Sequence, residues 1–141
     1  METQQSDAPV SKAARWISYI LSAIPVFMLL MSATMKISQA QPVVEGFGQM
    51  GFPLWQAVPI GLVELVCTVL YLIPRTSVLG AILLTGYLGG ATVTHVRAEE
   101  MAFLGAVSFG VMLWGGLFLR DRRIRALIPL RTPIAKAPAV D

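Results

Sequence analysis

Apolar residues dominate four stretches of this chain, Trp16–Met35, Leu54–Ile73, Thr76–Thr94 and Met101–Leu119, and nearly every charged residue falls between or beyond them. Each stretch reaches or approaches the ~17–25 residues that a helix needs to cross a bilayer. A single run of this kind would fit a buried core helix. Four in a chain of 141 residues leave too little polar sequence to coat a soluble globule. The pattern therefore predicts an all-α fold, an integral membrane four-helix bundle with spans at about 16–36, 54–73, 76–95 and 101–119. The turns Pro74-Arg75-Thr76 and Arg97-Ala98-Glu99-Glu100 are short, so neighbouring helices run antiparallel, up-down-up-down. Residues 1–11 are expected to be a disordered N-terminal segment, 12–131 the membrane domain, and 132–141 a flexible tail.

Within this frame Pro25 is expected to bend the first helix, and Thr76 or Ser77 to cap the third. The longest connection, Ser38–Pro53, contains an amphiphilic stretch, Gly46–Pro53, that suits the outer interface as a short helix or a re-entrant turn. Lys12, Arg15 and the sequence Ser38-Gln39-Ala40 resemble parts of a cleavable signal peptide. The apolar stretch is longer than such a segment needs, and Lys36 interrupts the approach to the cleavage site, so an uncleaved first span is expected.

Composition agrees: the chain is 55% hydrophobic and 13% charged, against about 25% charged in soluble domains. Its charge balance is +3, but the basic residues hug the ends of the apolar runs. No aromatic-interleaved basic surface is present, so nucleic acid is not an expected partner. Lys12, Arg15, Arg75, Arg120, Arg122, Arg123, Arg125, Arg131 and Lys136 fall on one side of the bundle, and Lys36 and Arg97 on the other, nine against two. The positive-inside rule then places both termini in the cytoplasm and the protein in the cytoplasmic (inner) membrane as a multi-pass protein. The lipid bilayer is its first partner.

Glu64 stands alone near the middle of the second span. A carboxylate there costs roughly 2.5–3.5 kcal/mol on insertion scales, so it is expected to face the bundle. In the second span Ala57, Gly61, Glu64, Thr68, Tyr71 and Arg75 recur at steps of three and four. In the first, Ser18, Ser22, Pro25, Leu29, Ser32 and Lys36 do the same. Small and hydroxyl residues normally face other helices, so both stripes point inward. Two roles fit Glu64: an internal hydrogen-bond hub, or a proton carrier or polar ligand contact. Tyr87 lies level with it on the third span. Lys36 lies about 15 Å above the midplane at 1.5 Å per residue, and either reaches down or snorkels to the head groups. His95 lies near Lys36 in depth, as an interfacial residue or a site residue. Glu64, Tyr87, Lys36, His95 and Arg97 thus form a candidate outward-facing polar site suited to a quinone head group or a small oxyanion. The alternative is that Lys36, His95 and Arg97 each anchor separately to phosphate.

Gly86 and Gly90 form a GxxxG pair, which calls for close packing by a neighbouring helix or by a second copy in a homo-oligomer. Trp16, Trp55 and Trp114 suit interfacial anchoring or packing. Cys67 is the only cysteine and His95 the only histidine, so neither a disulfide nor a zinc site is available within the chain. No intrinsic cofactor or metal is expected.

Between Ile60 and Arg97 the chain resembles the DoxX-like family of small four-span membrane proteins. The resemblance runs through Ile60-Gly61-Leu62-Val63-Glu64-Leu65, then Tyr71-Leu72-Ile73-Pro74-Arg75-Thr76-Ser77. It continues from Leu79 to Gly90 and through Thr94-His95-Val96-Arg97. The first span adds Ser32-Ala33-Thr34-Met35-Lys36-Ile37, where the family tends to Ser-Gly-x-x-Lys-Leu, so that Ala33 and Ile37 depart mildly. The likeness covers Trp16 to Arg131. The family takes its name from a subunit of a thiosulfate:quinone oxidoreductase, and relatives are associated with membrane redox complexes and oxidative stress. Glu64, Lys36, His95 and Arg97 match family positions, but no catalytic residue set comes with them.

The resemblance implies a redox-associated membrane subunit that contacts quinone or a small oxyanion and receives electrons from a membrane redox partner. The competing readings are a non-enzymatic assembly or scaffold protein and, last, a small-solute or proton pathway, for which four helices leave little room.

Overall fold

The structure is a computed structural model that describes residues 11–127. The expected flexible segments fall almost wholly outside these residues. Ser11 caps the first helix, α1 (Lys12–Ile37), with its Oγ accepting from the Ala14 N–H at 3.2 Å. There follow α2 (Gln41–Gln49), a 3₁₀ turn at Leu54–Gln56, α3 (Ala57–Leu72), α4 (Ser77–Arg97), α5 (Phe103–Arg120) and a short α6 (Arg122–Leu127). Four helical segments, Lys12–Ile37, Leu54–Leu72, Ser77–Arg97 and Phe103–Arg120, are long and apolar enough to cross a membrane. No strand occurs among the described residues.

α1 packs on α3 and α5, and α4 packs on the same two helices, so the spans close into a four-membered ring. Consecutive spans are antiparallel neighbours, the up-down-up-down arrangement that short connections impose. Val26 and Leu29 of α1, Tyr71 of α3, Leu84 and Leu88 of α4, and Leu113 and Leu117 of α5 fill the centre. The outside is equally apolar. Trp16, Phe27, Trp55, Val93 and Val111 are each at least 65% exposed, a surface stable only against lipid. The chain is a multi-pass membrane protein.

Hydroxyl side chains on the spans bond inward to their own helices. Thr34, Thr68, Thr85, Thr92, Thr94 and Ser108 each donate to the carbonyl four residues back, at 2.7–2.9 Å. Such pairing keeps polar atoms satisfied where no water is available.

The small-residue stripes largely face the bundle. Ser18, Ser22, Pro25 and Leu29 are buried, as are Ala57, Gly61, Glu64, Thr68 and Tyr71. Arg75, the last member of the second stripe, is exposed, because α3 has ended at Leu72 and the helical period no longer governs it. Thr76 and Ser77 do not cap α4 through their side chains. Thr76 Oγ1 instead donates back to the Leu70 carbonyl at 2.9 Å, which ties the turn to α3, and Ser77 Oγ donates to the Pro74 carbonyl at 3.2 Å within the turn.

Close helix approach occurs at glycines outside the GxxxG pair. A Cβ on Gly80 would lie 2.5 Å from Tyr71 Cα, and one on Gly116 would lie 3.0 Å from the Ser18 carbonyl oxygen. Around Gly86 and Gly90 nothing lies within 4 Å of that position. The expectation that a neighbouring helix of the same chain packs against the pair is therefore corrected, because no helix of the ring reaches that face of α4.

Candidate functional site

Much of the connection Ser38–Pro53 folds into helix. α1 closes with Gln39 in the left-handed region (φ 52°) and the Ala40 N–H on the Met35 carbonyl at 2.9 Å. Pro42 then opens α2 at a position that needs no N–H. Just past the end of α2 Gly51 takes a positive φ (74°), and Phe47 and Phe52 bring their ring centroids to 5.8 Å. α4 ends in the same manner as α1, with Glu99 at φ 56° and the Glu100 N–H on the His95 carbonyl at 2.9 Å. These turns gather the C-terminal ends of α1 and α4 and the start of α3 at one end of the bundle, with α2 beside them.

Glu64 lies under this end. Its side chain is 1% exposed, and Oε2 accepts from Lys36 Nζ at 3.0 Å and from Ser32 Oγ at 3.3 Å. Lys36 Nζ also donates to Ser32 Oγ. Ser32 and Lys36 are one helical turn apart on α1, so both meet the same carboxylate. Gly61, one turn before Glu64, makes this possible. A Cβ there would stand 2.9 Å from Lys36 Cβ and 3.0 Å from the Ala33 carbonyl oxygen. Close contact at Gly61 brings α1 near enough for Lys36 to turn inward instead of snorkelling. From α4, the Tyr87 hydroxyl interacts with the same carboxylate.

Above this cluster a cavity of about 630 Å³ lies between α2, α3 and α4. Phe47, Phe52, Ile60 and Val63 give it apolar walls, and Gly86 and Gly90 leave one side open to volume that a side chain would fill. Lys36, Tyr87 and His95 supply its polar tips. His95 Nδ1 lies 2.7 Å from Glu100 Oε2. Each cationic or potentially cationic group of the cavity thus has a carboxylate beside it.

Of the five candidate residues, Glu64, Lys36 and Tyr87 form one cluster, and His95 shares the cavity with Lys36 and Tyr87. Arg97 is exposed and does not line the cavity. Of the three basic candidates, Lys36 and His95 therefore share the cavity and Arg97 stands apart from it. Residues two apart on a helix do not share a face, so His95 and Arg97 point to different sides of α4. Ser32, Gly61, Phe47 and Phe52 belong to the site but were not among the candidates. The i, i+4 pair Ser32–Lys36 and the i, i+3 pair Gly61–Glu64 were the available signals.

The DoxX-like family profile matches residues 20–116, about two thirds of the chain. The chain belongs to the DoxX-like family. The matched segment of this DoxX-like protein contains Ser32, Lys36, Gly61, Glu64, Tyr87 and His95, and hence the whole cluster. No curated protein and no solved structure matches the chain.

Proposed function

We propose that this DoxX-like protein is a redox-associated membrane subunit whose cavity between α2, α3 and α4 receives the head group of a quinone. The observation that carries the reading is the charge pairing in a largely apolar cavity. Lys36 is matched by Glu64 and His95 by Glu100, so the walls offer little net attraction for a small oxyanion. They do offer donors, from Lys36 and His95, to a neutral carbonyl ring. Apolar walls with a few placed polar groups are the usual form of a small-molecule site. In this reading the protein's residues bind and orient the ring, and a partner protein of the same membrane supplies the electrons.

The test is lipid extraction of the purified full chain, followed by titration with a short-chain benzoquinone. Co-extracted quinone and saturable binding are expected. Gly90→Phe should abolish binding by filling open cavity volume without disturbing packing. His95→Phe should weaken it several-fold, the worth of one hydrogen bond at about 0.5–1.5 kcal/mol. Absence of both extracted quinone and saturable binding would leave the assembly or scaffold reading. That reading has its own support: α4 presents Gly89 to an open groove of about 640 Å³ against Gly110 and Trp114 of α5, where another span could pack. The unpacked Gly86 and Gly90 would serve a homo-oligomer in the same way.

We place both termini in the cytoplasm and the protein in the cytoplasmic membrane, on the nine-to-two distribution of basic residues. Reporter fusions after Asp141 and within Ser38–Gly51 should report opposite compartments. Activity of an external reporter at Asp141 would reverse the assignment.

A further inference from the structure

The opposite end of the bundle carries a second cavity, of about 850 Å³, built on different principles. Arg15, near the start of α1, and Arg120, at the end of α5, both line it. Arg120 is held in place. Its Nη1 donates to Ser22 Oγ at 3.3 Å, and its guanidinium lies 5.3 Å from the centre of the Tyr71 ring. Both supports are fixed in turn: Ser22 and Tyr71 are buried, their hydroxyls meet at 2.8 Å, and Tyr71 donates to the Leu113 carbonyl at 2.9 Å. Neither arginine forms an ion pair among the described residues. The carboxylate on this wall, Asp121, accepts from the Arg123 backbone N–H at 2.8 Å. Two cations therefore stand against one carboxylate, in contrast to the matched pairs at the other end. Val26, Phe27 and Leu30 extend the cavity along α1 toward the bilayer interior as an apolar strip.

We infer that this cavity binds an anionic phospholipid, with the head-group phosphate between Arg15 and Arg120 and an acyl chain along Val26, Phe27 and Leu30. An oriented guanidinium with unused donors suits a phosphate, since its planar fork matches phosphate oxygens. A soluble phosphate would use the arginines but not the strip. Both arginines lie outside the segment that matches the family, residues 20–116, so the inference concerns this chain in particular.

The delipidated full chain in neutral detergent would be titrated with phosphatidylglycerol and with phosphatidylcholine of the same acyl chains, and bound lipid counted by native mass spectrometry. Phosphatidylglycerol is expected to bind preferentially. Arg120→Gln and Arg15→Gln should each weaken it about tenfold, the worth of a charged hydrogen bond. Arg125→Gln, whose side chain lies outside the cavity, should change nothing. Circular dichroism would check the fold. Because Arg15 is exposed, its variant carries the test if Arg120→Gln fails to fold. Equal binding of the two lipids, wild-type affinity in Arg15→Gln, or an equal loss in Arg125→Gln would overturn the inference. Displacement of the lipid by inorganic phosphate at comparable concentration would overturn it too, by assigning the cavity to a soluble anion.

Discussion

Lys36→Met is expected to destabilise the bundle by about 3–5 kcal/mol, the range for removing one partner of a buried ion pair. Glu64 is 1% exposed, so the variant would leave a carboxylate with no access to water and only Ser32 and Tyr87 beside it. The reverse change, Glu64→Gln, should cost less. The Lys36 side chain is 18% exposed and borders the cavity, so its ammonium can turn toward hydrated head groups. The double variant Lys36→Met/Glu64→Leu should recover most of the loss, because two apolar side chains need no partner there. Unfolding in mixed micelles would measure all three. Equal stability of Lys36→Met and the wild type would show that the pair contributes nothing to the fold. If the double variant is stable yet no longer binds a benzoquinone, the pair serves the cavity and not the scaffold.

Gly80→Ala should be the most damaging single-methyl change in the chain. The added Cβ would stand 2.5 Å from Tyr71 Cα and 2.7 Å from the Leu70 carbonyl carbon. Those are backbone atoms, so no rotamer change relieves the clash, and the turn from α3 into α4 would have to open. Overpacking typically costs about 1–3 kcal/mol, and a backbone clash belongs at or above the upper end. The displacement would also move Tyr71, the ring under Arg120. Gly90→Ala is the matched control. It adds the same methyl into open space, and its better helix propensity should leave stability unchanged or raised by about 0.5–1 kcal/mol. Thermal unfolding that ranks Gly90→Ala below Gly80→Ala would contradict the packing described above.

Four spans, their antiparallel order and the burial of Glu64 were legible along the chain. Each follows from a one-dimensional quantity: the length of an apolar run, the shortness of a turn, or the cost of a lone carboxylate at midplane. The separation of His95 from Arg97 was overlooked, although two residues along a helix rotate the side chain to another face.

The glycines were not legible in this way. Gly86 and Gly90 carry the familiar spacing yet meet nothing, while Gly61, Gly80 and Gly116, with no motif between them, set the contacts. Spacing says which residues share a face but not which face another helix covers. The fate of Lys36 had the same dependence. Whether it snorkels or turns inward rests on the approach of α1 to α3 at Gly61, which moves Nζ to within 3.0 Å of Glu64 Oε2. The sequence by itself determined that a carboxylate would be buried among helices. The closing of the ring decided that its cation is Lys36, that α2 stands beside an apolar cavity above them, and that Arg120 is propped on Tyr71 at the far end, because each needs groups distant in the chain to meet within a few ångströms.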